Sequence, residues 1–226
     1  LSEASIWMGG TICEVSNDSP SWGVINLFAW KLVPERWGGG VKYIQMFKDA
    51  WVRHNRLHIR AAAGRNRLPQ EMLAGVCWIE VGGDPEFIDR MAFEVRTFDW
   101  SGPPVVDEHL TLTRHPAMTS FGPLSMQLRT AAQTLGMAPS TMSASQFRSL
   151  AHCLQRDVFN IDLVARHLRQ LAKRDGFQYP FSMDQIRIFG ARYNRGSGLS
   201  LDQIKQNTSY GNFIATHWPR FTRLVQ

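Results

Sequence analysis

The chain lacks any apolar run approaching the roughly 20 residues that a membrane-spanning helix needs. Its longest early stretch, Gly23-Val24-Ile25-Asn26-Leu27-Phe28-Ala29-Trp30, is far too short. No basic-then-apolar secretion signal opens it and the first residue is Leu1, so we expect a mature product or an excised part of something longer. Cysteine is scarce: Cys13, Cys77 and Cys153 lie far apart and are odd in number, which excludes a dense disulfide framework and any CxxC metal or redox motif. Spacing leaves one disulfide open. Cys77 and Cys153 fall in apolar helical patterns and are expected to be small buried hydrophobes. A GxSxG nucleophile motif and a phosphate-binding P-loop are missing too. His54 and His58 have the i,i+4 spacing of zinc ligands on a helix, but Asn55 stands where HExxH needs glutamate. They read as part of a solvated basic face. His109, His115, His152, His167 and His217 show no ligand spacing, so neither a metal nor a cofactor is expected.

What is present describes a globular protein. The 226 residues suit one large domain, or a domain with an appendage, and are 44% hydrophobic and 19% charged. The net charge of +6 and the pI near 9.6 favour an anionic partner: nucleic acid, an anionic cell-wall polymer or a membrane surface. The basic residues are scattered, as in Arg53-His54-Asn55-Arg56, Arg65-Asn66-Arg67 and Lys173-Arg174, and no dense run or RNA-binding motif appears. Charge therefore gives an electrostatic preference without naming a ligand. We expect neither a nucleic-acid nor a membrane partner.

Residues 1–40, rich in Trp, Gly, Ser and Pro, read as an irregular N-terminal lead-in packed on a main body at 41–226. Helical periodicity runs from Val41 to about Ala63 until Asn66-Arg67-Leu68-Pro69 breaks it, and the helix that follows ends at Glu80. Residues 82–125 are the longest irregular stretch, with β-like pieces at 93–98 and 109–112. Helical patterns return at 126–135, at 145–154 behind a serine cap, at 160–173 and at 183–193, and two short helices are expected within 200–226. No repeat or low-complexity tract is found. The fold class is mainly α: a helical bundle around the Glu80 helix, with a small irregular or β-containing lobe.

Glu80 closes the apolar run Met72-Leu73-Ala74-Gly75-Val76-Cys77-Trp78-Ile79-Glu80 and lies on the stripe of Leu73, Val76 and Cys77. A lone glutamate at a helix end more often swings out to water. Held on that stripe it is desolvated, and its pKa rises toward the range in which it donates a proton near neutral pH. Glu71 sits about half a turn out of phase and is expected to charge the helix start instead. Three segments follow Glu80 in order. Thr119-Ser120-Phe121-Gly122-Pro123-Leu124-Ser125-Met126-Gln127 offers Ser120 and Gln127 as hydrogen-bonding groups. Leu154-Gln155-Arg156-Asp157-Val158-Phe159-Asn160-Ile161 leads into an amphipathic helix, and Phe189-Gly190-Ala191-Arg192-Tyr193-Asn194-Arg195-Gly196-Ser197-Gly198 offers Tyr193 and Asn194. Gly122, Gly196 and Gly198 would admit a ligand close to the backbone.

This order resembles the lysozyme superfamily, in particular the soluble lytic transglycosylase and goose-type lysozyme branch, over about residues 59–198. The resemblance implies an α+β lysozyme-like fold whose catalytic helix and β-containing lobe line a glycan cleft. It implies Glu80 as the general acid for the β-1,4 bond between N-acetylmuramic acid and N-acetylglucosamine. Tyr193 would position that acid beside Asn194; Ser120 and Gln127 would line the sugar cleft, with Met126 as an apolar wall. Val81 follows Glu80 where the family carries serine, and Leu124-Ser125-Met126-Gln127 replaces its glycine–leucine–methionine–glutamine string. These departures point to a divergent branch similar to lysozyme-like domains of antibacterial effectors delivered by type VI secretion. The implied partners are peptidoglycan strands, an immunity protein and secretion machinery. The implied setting is a secreted monomer acting in the periplasm or cell wall of a bacterium.

The reaction type depends on a second carboxylate. An inverting hydrolase needs a base roughly 6.5–9.5 Å away and a retaining one a nucleophile at roughly 5–5.5 Å, whereas a lytic transglycosylase uses the muramic C6 hydroxyl and leaves a 1,6-anhydro end. Asp84, Asp89, Glu94, Asp99 and Asp107 are the candidates. A muramidase is the leading expectation. Lytic transglycosylase and non-catalytic peptidoglycan-binding module are the alternatives.

Overall fold

The structure is a computed structural model that describes residue 13, residues 18–82 and residues 119–226. The expectations at 83–118, including both β-like pieces and the five candidate second carboxylates, lie outside the described residues. Helix takes up 70% of the described residues and strand 2%, as the mainly α reading expects. Among the described residues no helix is long and apolar enough to cross a membrane. The chain divides into two compact units: one drawn from Leu1–Phe47 and Val81–Asn160, the other from Lys48–Glu80 and Ile161–Gln226.

The second unit is built around a helix that is apolar all round. In α4 (Gln70–Glu80) every residue from Met72 to Trp78 is buried. A helix without a polar face belongs inside a core, and α4 is packed by α3 (Arg56–Asn66), α8 (Met183–Arg195), α10 (Ser209–Thr216) and α11 (Trp218–Val225). Gly75 permits that crowding, since a Cβ there would lie 2.8 Å from Ile214 and 3.1 Å from Phe221. The tightest approach is between α8 and α10: a Cβ on Gly211 would fall 1.9 Å from the Arg187 carbonyl oxygen, and one on Gly190 2.9 Å from the Gly211 Cα. Two facing glycines thus let these helices touch along their backbones and bring Tyr193 and Tyr210 together. Short α9 (Leu201–Lys205) joins α8 to α10.

Serine sets three helix starts in the same way. Ser143, Ser182 and Ser200 each accept from the backbone N–H three residues on, while Gln146, Gln185 and Gln203 reach back to the serine N–H. These reciprocal capping boxes begin α6 (Ala144–Leu154), α8 and α9, each worth about 1 kcal/mol. The helix expected from Val41 to Ala63 is instead two, α2 (Gly40–His54) and α3, which meet at the buried Asn55, whose amide donates to the Trp51 carbonyl. The last 26 residues hold three short helices rather than two.

In the first unit, α1 (Val24–Lys31) and a 3₁₀ turn at Glu35–Trp37 occupy part of the stretch expected to be irregular. Beyond residue 118, β1 (Ser120–Phe121) pairs antiparallel with β2 (Met126–Gln127), Ser120 opposite Gln127. The turn between them places Gly122 and Ser125 at positive φ. α5 (Leu128–Thr134) follows, so Met126 and Gln127 belong to strand rather than to the helix expected there. Cys13 is disulfide-bonded to Cys153 on α6, the one disulfide that spacing left open; Cys153 is buried as expected, and Cys77 is free. α7 (Asp157–Arg174) begins in this unit and continues into the other.

Candidate functional site

The end of α4 leaves carbonyl oxygens with no intrahelical partner, and Lys48 supplies one. Its Nζ donates to the carbonyls of Trp78 at 2.9 Å and Ile79 at 2.7 Å, although the side chain is only 7% exposed. An ammonium suits the negative end of a helix, and it brings its charge beside Glu80. Burial pushes the Lys48 pKa down from 10.5 to about 8, opposed by the Glu80 carboxylate.

Glu80 itself is mostly buried. Burial raises its pKa, against the lowering effects of a hydrogen bond from Tyr210 and of the Lys48 charge. The Tyr210 hydroxyl donates to Glu80 Oε1 at 2.7 Å. Among the described residues Oε2 takes no hydrogen bond, so one oxygen of the carboxyl is held and the other is not. Burial and the neighbouring Glu80 charge hold Tyr210 and Tyr193 well above the usual phenol range, so both remain neutral donors. Their rings lie 6.0 Å apart, and His167 stands edge-on to Tyr193 at 6.0 Å. Burial lowers the His167 pKa from 6.5 to about 4, which keeps this imidazole uncharged.

A depression of about 390 Å³ adjoins this group, lined by Trp78, Ile79, Asn194, Ser209, Tyr210 and Phe213. Trp78 stacks on Phe213 with centroids 5.6 Å apart, and its indole N–H donates to Asp49 at 2.7 Å. Arg220 lies 4.7 Å over the same indole and pairs with Asp49 at 2.8 Å. The aromatic wall is thus held in one orientation by a partly buried ion pair. A depression with a few fixed polar groups beside a carboxyl of raised pKa can take a small polar ligand and protonate an oxygen.

Of the residues singled out from sequence, Glu80, Tyr193 and Asn194 fall in this one unit, with Asn194 exposed on the depression. The direct hydrogen bond to Glu80 comes from Tyr210, with Tyr193 beside it. Ser120 and Gln127 belong to the other unit, where the β ladder makes them cross-strand partners and leaves Gln127 exposed. Met126 is 3% exposed and points into its own core, so it forms no open wall. Gly122 serves the fold rather than a ligand: a Cβ there would lie 2.0 Å from the Leu154 carbonyl oxygen and 2.5 Å from the Asn160 amide. Among the described residues nothing lies within 4 Å of the place a Cβ would take at Gly196 or Gly198. Glu71 sits at the start of α4, where Thr222 reaches it at 3.5 Å.

Sequence reasoning missed Tyr210 and Lys48. Lys48 sits in an ordinary amphipathic pattern, and nothing local marks it. Tyr210 carried a weak signal, being one of only four tyrosines in the chain. Among the described residues no group of three or more His, Cys, Asp or Glu could hold a metal ion. No family model, curated protein or solved structure matches the chain.

Proposed function

We propose that this chain is a lysozyme-like muramidase that cleaves the β-1,4 bond between N-acetylmuramic acid and N-acetylglucosamine in peptidoglycan, with Glu80 as general acid. The observation that carries the reading is the state of Glu80: a desolvated carboxyl at the end of a buried helix, gripped through one oxygen by Tyr210 and beside an aromatic depression. Desolvation holds the proton on Glu80 to higher pH than on an exposed glutamate, and its transfer to the glycosidic oxygen neutralises the leaving group as the C1–O bond breaks and water adds to C1. The ionised product is stabilised at once by the Tyr210 hydroxyl and the Lys48 ammonium, the two influences that favour the carboxylate. Tyr210 and Lys48 thus limit how far burial can raise the pKa, so that Glu80 can also release its proton.

In this reading the depression beside Phe213 takes a sugar and the Asn194 amide orients a hydroxyl or acetamido group. The net positive charge favours encounter with an anionic wall. The Cys13–Cys153 disulfide supports a secreted protein working outside the reducing cytosol, as an antibacterial effector does. The transglycosylase alternative needs no second carboxylate, because the muramic C6 hydroxyl attacks the sugar carbon itself. Turbidity clearance of purified sacculi tests the assignment. Wild type should clear them and a folded Glu80→Gln variant should not. Clearance by the variant at near wild-type rate would overturn the role of Glu80, and sacculus binding without clearance by wild type would favour a binding module.

A further inference from the structure

The basic residues left unexplained by the Glu80 site converge elsewhere in the second unit. A cavity of about 610 Å³ is lined by Arg67 from the turn after α3, by Arg169 and Lys173 on α7, and by Phe177, Gln178 and Tyr179 beyond α7. Arg169 and Lys173 stand four residues apart, so their like charges share one helix face and repel. The acids that could neutralise them are engaged. Asp162 pairs with Arg65 and Arg166, both at 2.8 Å, and Asp175 takes two hydrogen bonds from Arg192, at 2.8 and 2.6 Å. Among the described residues no carboxylate lines the cavity, and Arg67, Arg169 and Lys173 have no ion-pair partner. Arg169 Nη1 is buried without any hydrogen-bond acceptor, while its guanidinium lies 5.8 Å over the Phe181 ring. A buried charged donor with no acceptor is unfavourable unless water or a ligand supplies one. Arg67 adds a second oddity, since it occupies the left-handed helix-end position at φ +51°, where glycine is usual.

We propose that this cavity binds the phosphoryl group of a small phosphorylated ligand, with Arg67, Arg169 and Lys173 around the phosphate and the Phe177–Tyr179 wall against the rest of the molecule. Three separate cations match the several oxygens and double charge of a phosphomonoester, and guanidinium forks fit phosphate geometry. A carboxylate would leave one cation unmatched. The volume lies within the range of about 300–1,000 Å³ usual for small-molecule sites. The cations also close on one cavity instead of running as the track that a polyanion follows. Tyr179, 55% exposed beside them, gives an aromatic face for a ring attached to the phosphate.

Calorimetric titration of the full chain with inorganic phosphate and with adenosine monophosphate, at low salt, tests this. Both should saturate one site, the nucleotide more tightly, and Arg67→Gln, Arg169→Gln and Lys173→Gln should each weaken binding about tenfold or more. Arg187→Gln, which removes a cation paired with Asp184 outside the cavity, should leave binding unchanged. Tyr179→Ala should erase the nucleotide's advantage over phosphate. Arg67 is exposed, so its variant keeps the test alive if Arg169→Gln does not fold. Absence of saturable binding, equal weakening by Arg187→Gln, or binding of an oligonucleotide but of neither small probe would each overturn the proposal.

Discussion

Replacing Lys48 by Met removes a buried ammonium while keeping most of its volume. In the folded chain Lys48 loses its proton near pH 8 instead of 10.5. The unfolded chain therefore holds more protons between those values, and stability rises with pH across them. Below about pH 8 the burial penalty is fully present; it is relieved as pH climbs toward 10.5. At about 1.4 kcal/mol per pH unit the whole interval is worth about 3 kcal/mol. At neutral pH the variant escapes that penalty but leaves the Trp78 and Ile79 carbonyls without their charged donor, about 1–3 kcal/mol each. The change there is a small difference between opposing effects, and the pH dependence is the diagnostic quantity. Urea unfolding of both proteins should show wild type gaining about 2 kcal/mol on Lys48→Met between about pH 7 and about pH 9.5. Tyr193 and Tyr210 ionise above this range in the folded chain and are common to both proteins. Parallel stability curves, or a wild type that loses ground with pH, would refute the reasoning.

Tyr210→Phe removes a hydrogen bond that favours the Glu80 carboxylate, so Glu80 should titrate higher. The alkaline limb of sacculus clearance, where the general acid loses its proton, should then move to higher pH; a move downward would contradict the role given to Tyr210. Gly211→Ala forces a methyl against the Arg187 carbonyl and should destabilise the fold by about 1–3 kcal/mol or more. Thermal unfolding reads this directly, and an unchanged midpoint would show that the α8–α10 contact is not tight. Cys13→Ser opens a covalent link spanning 140 residues and should cost about 3–5 kcal/mol in urea unfolding. An unaltered midpoint would show that the link adds nothing to stability.

Much of this architecture is local and therefore readable. The Ser-x-x-Gln boxes at Ser143, Ser182 and Ser200 fix helix starts within four residues, and the apolar run 72–79 declares a buried helix wherever it packs. Glu80 stood out because a carboxylate closing that run has no cheap place to go. What stayed hidden depends on distant partners. Tyr210 meets Glu80 across 130 residues, and Lys48 finds its carbonyls 30 and 31 residues away, so no window of sequence contains either pair. The Cys13–Cys153 link is hidden in the same way, since odd spacing cannot choose among three thiols. Gly122 was misread because its close neighbour is the chain's own backbone at Leu154, and a sequence cannot distinguish a glycine that admits a ligand from one that admits another turn. The break at Asn55 falls within a pattern that remains helical on both sides, so periodicity does not mark it.

The most direct measurement is mass spectrometry of the muropeptides released from purified sacculi by wild type and by Glu80→Gln, with circular dichroism showing that the variant is folded. Glutamine keeps an oxygen for the Tyr210 hydroxyl and cannot deliver a proton. The expected result is soluble fragments ending in reducing N-acetylmuramic acid from wild type and none from the variant. Fragments from the variant at near wild-type yield would contradict Glu80 as the general acid, and 1,6-anhydro ends from wild type would contradict hydrolysis.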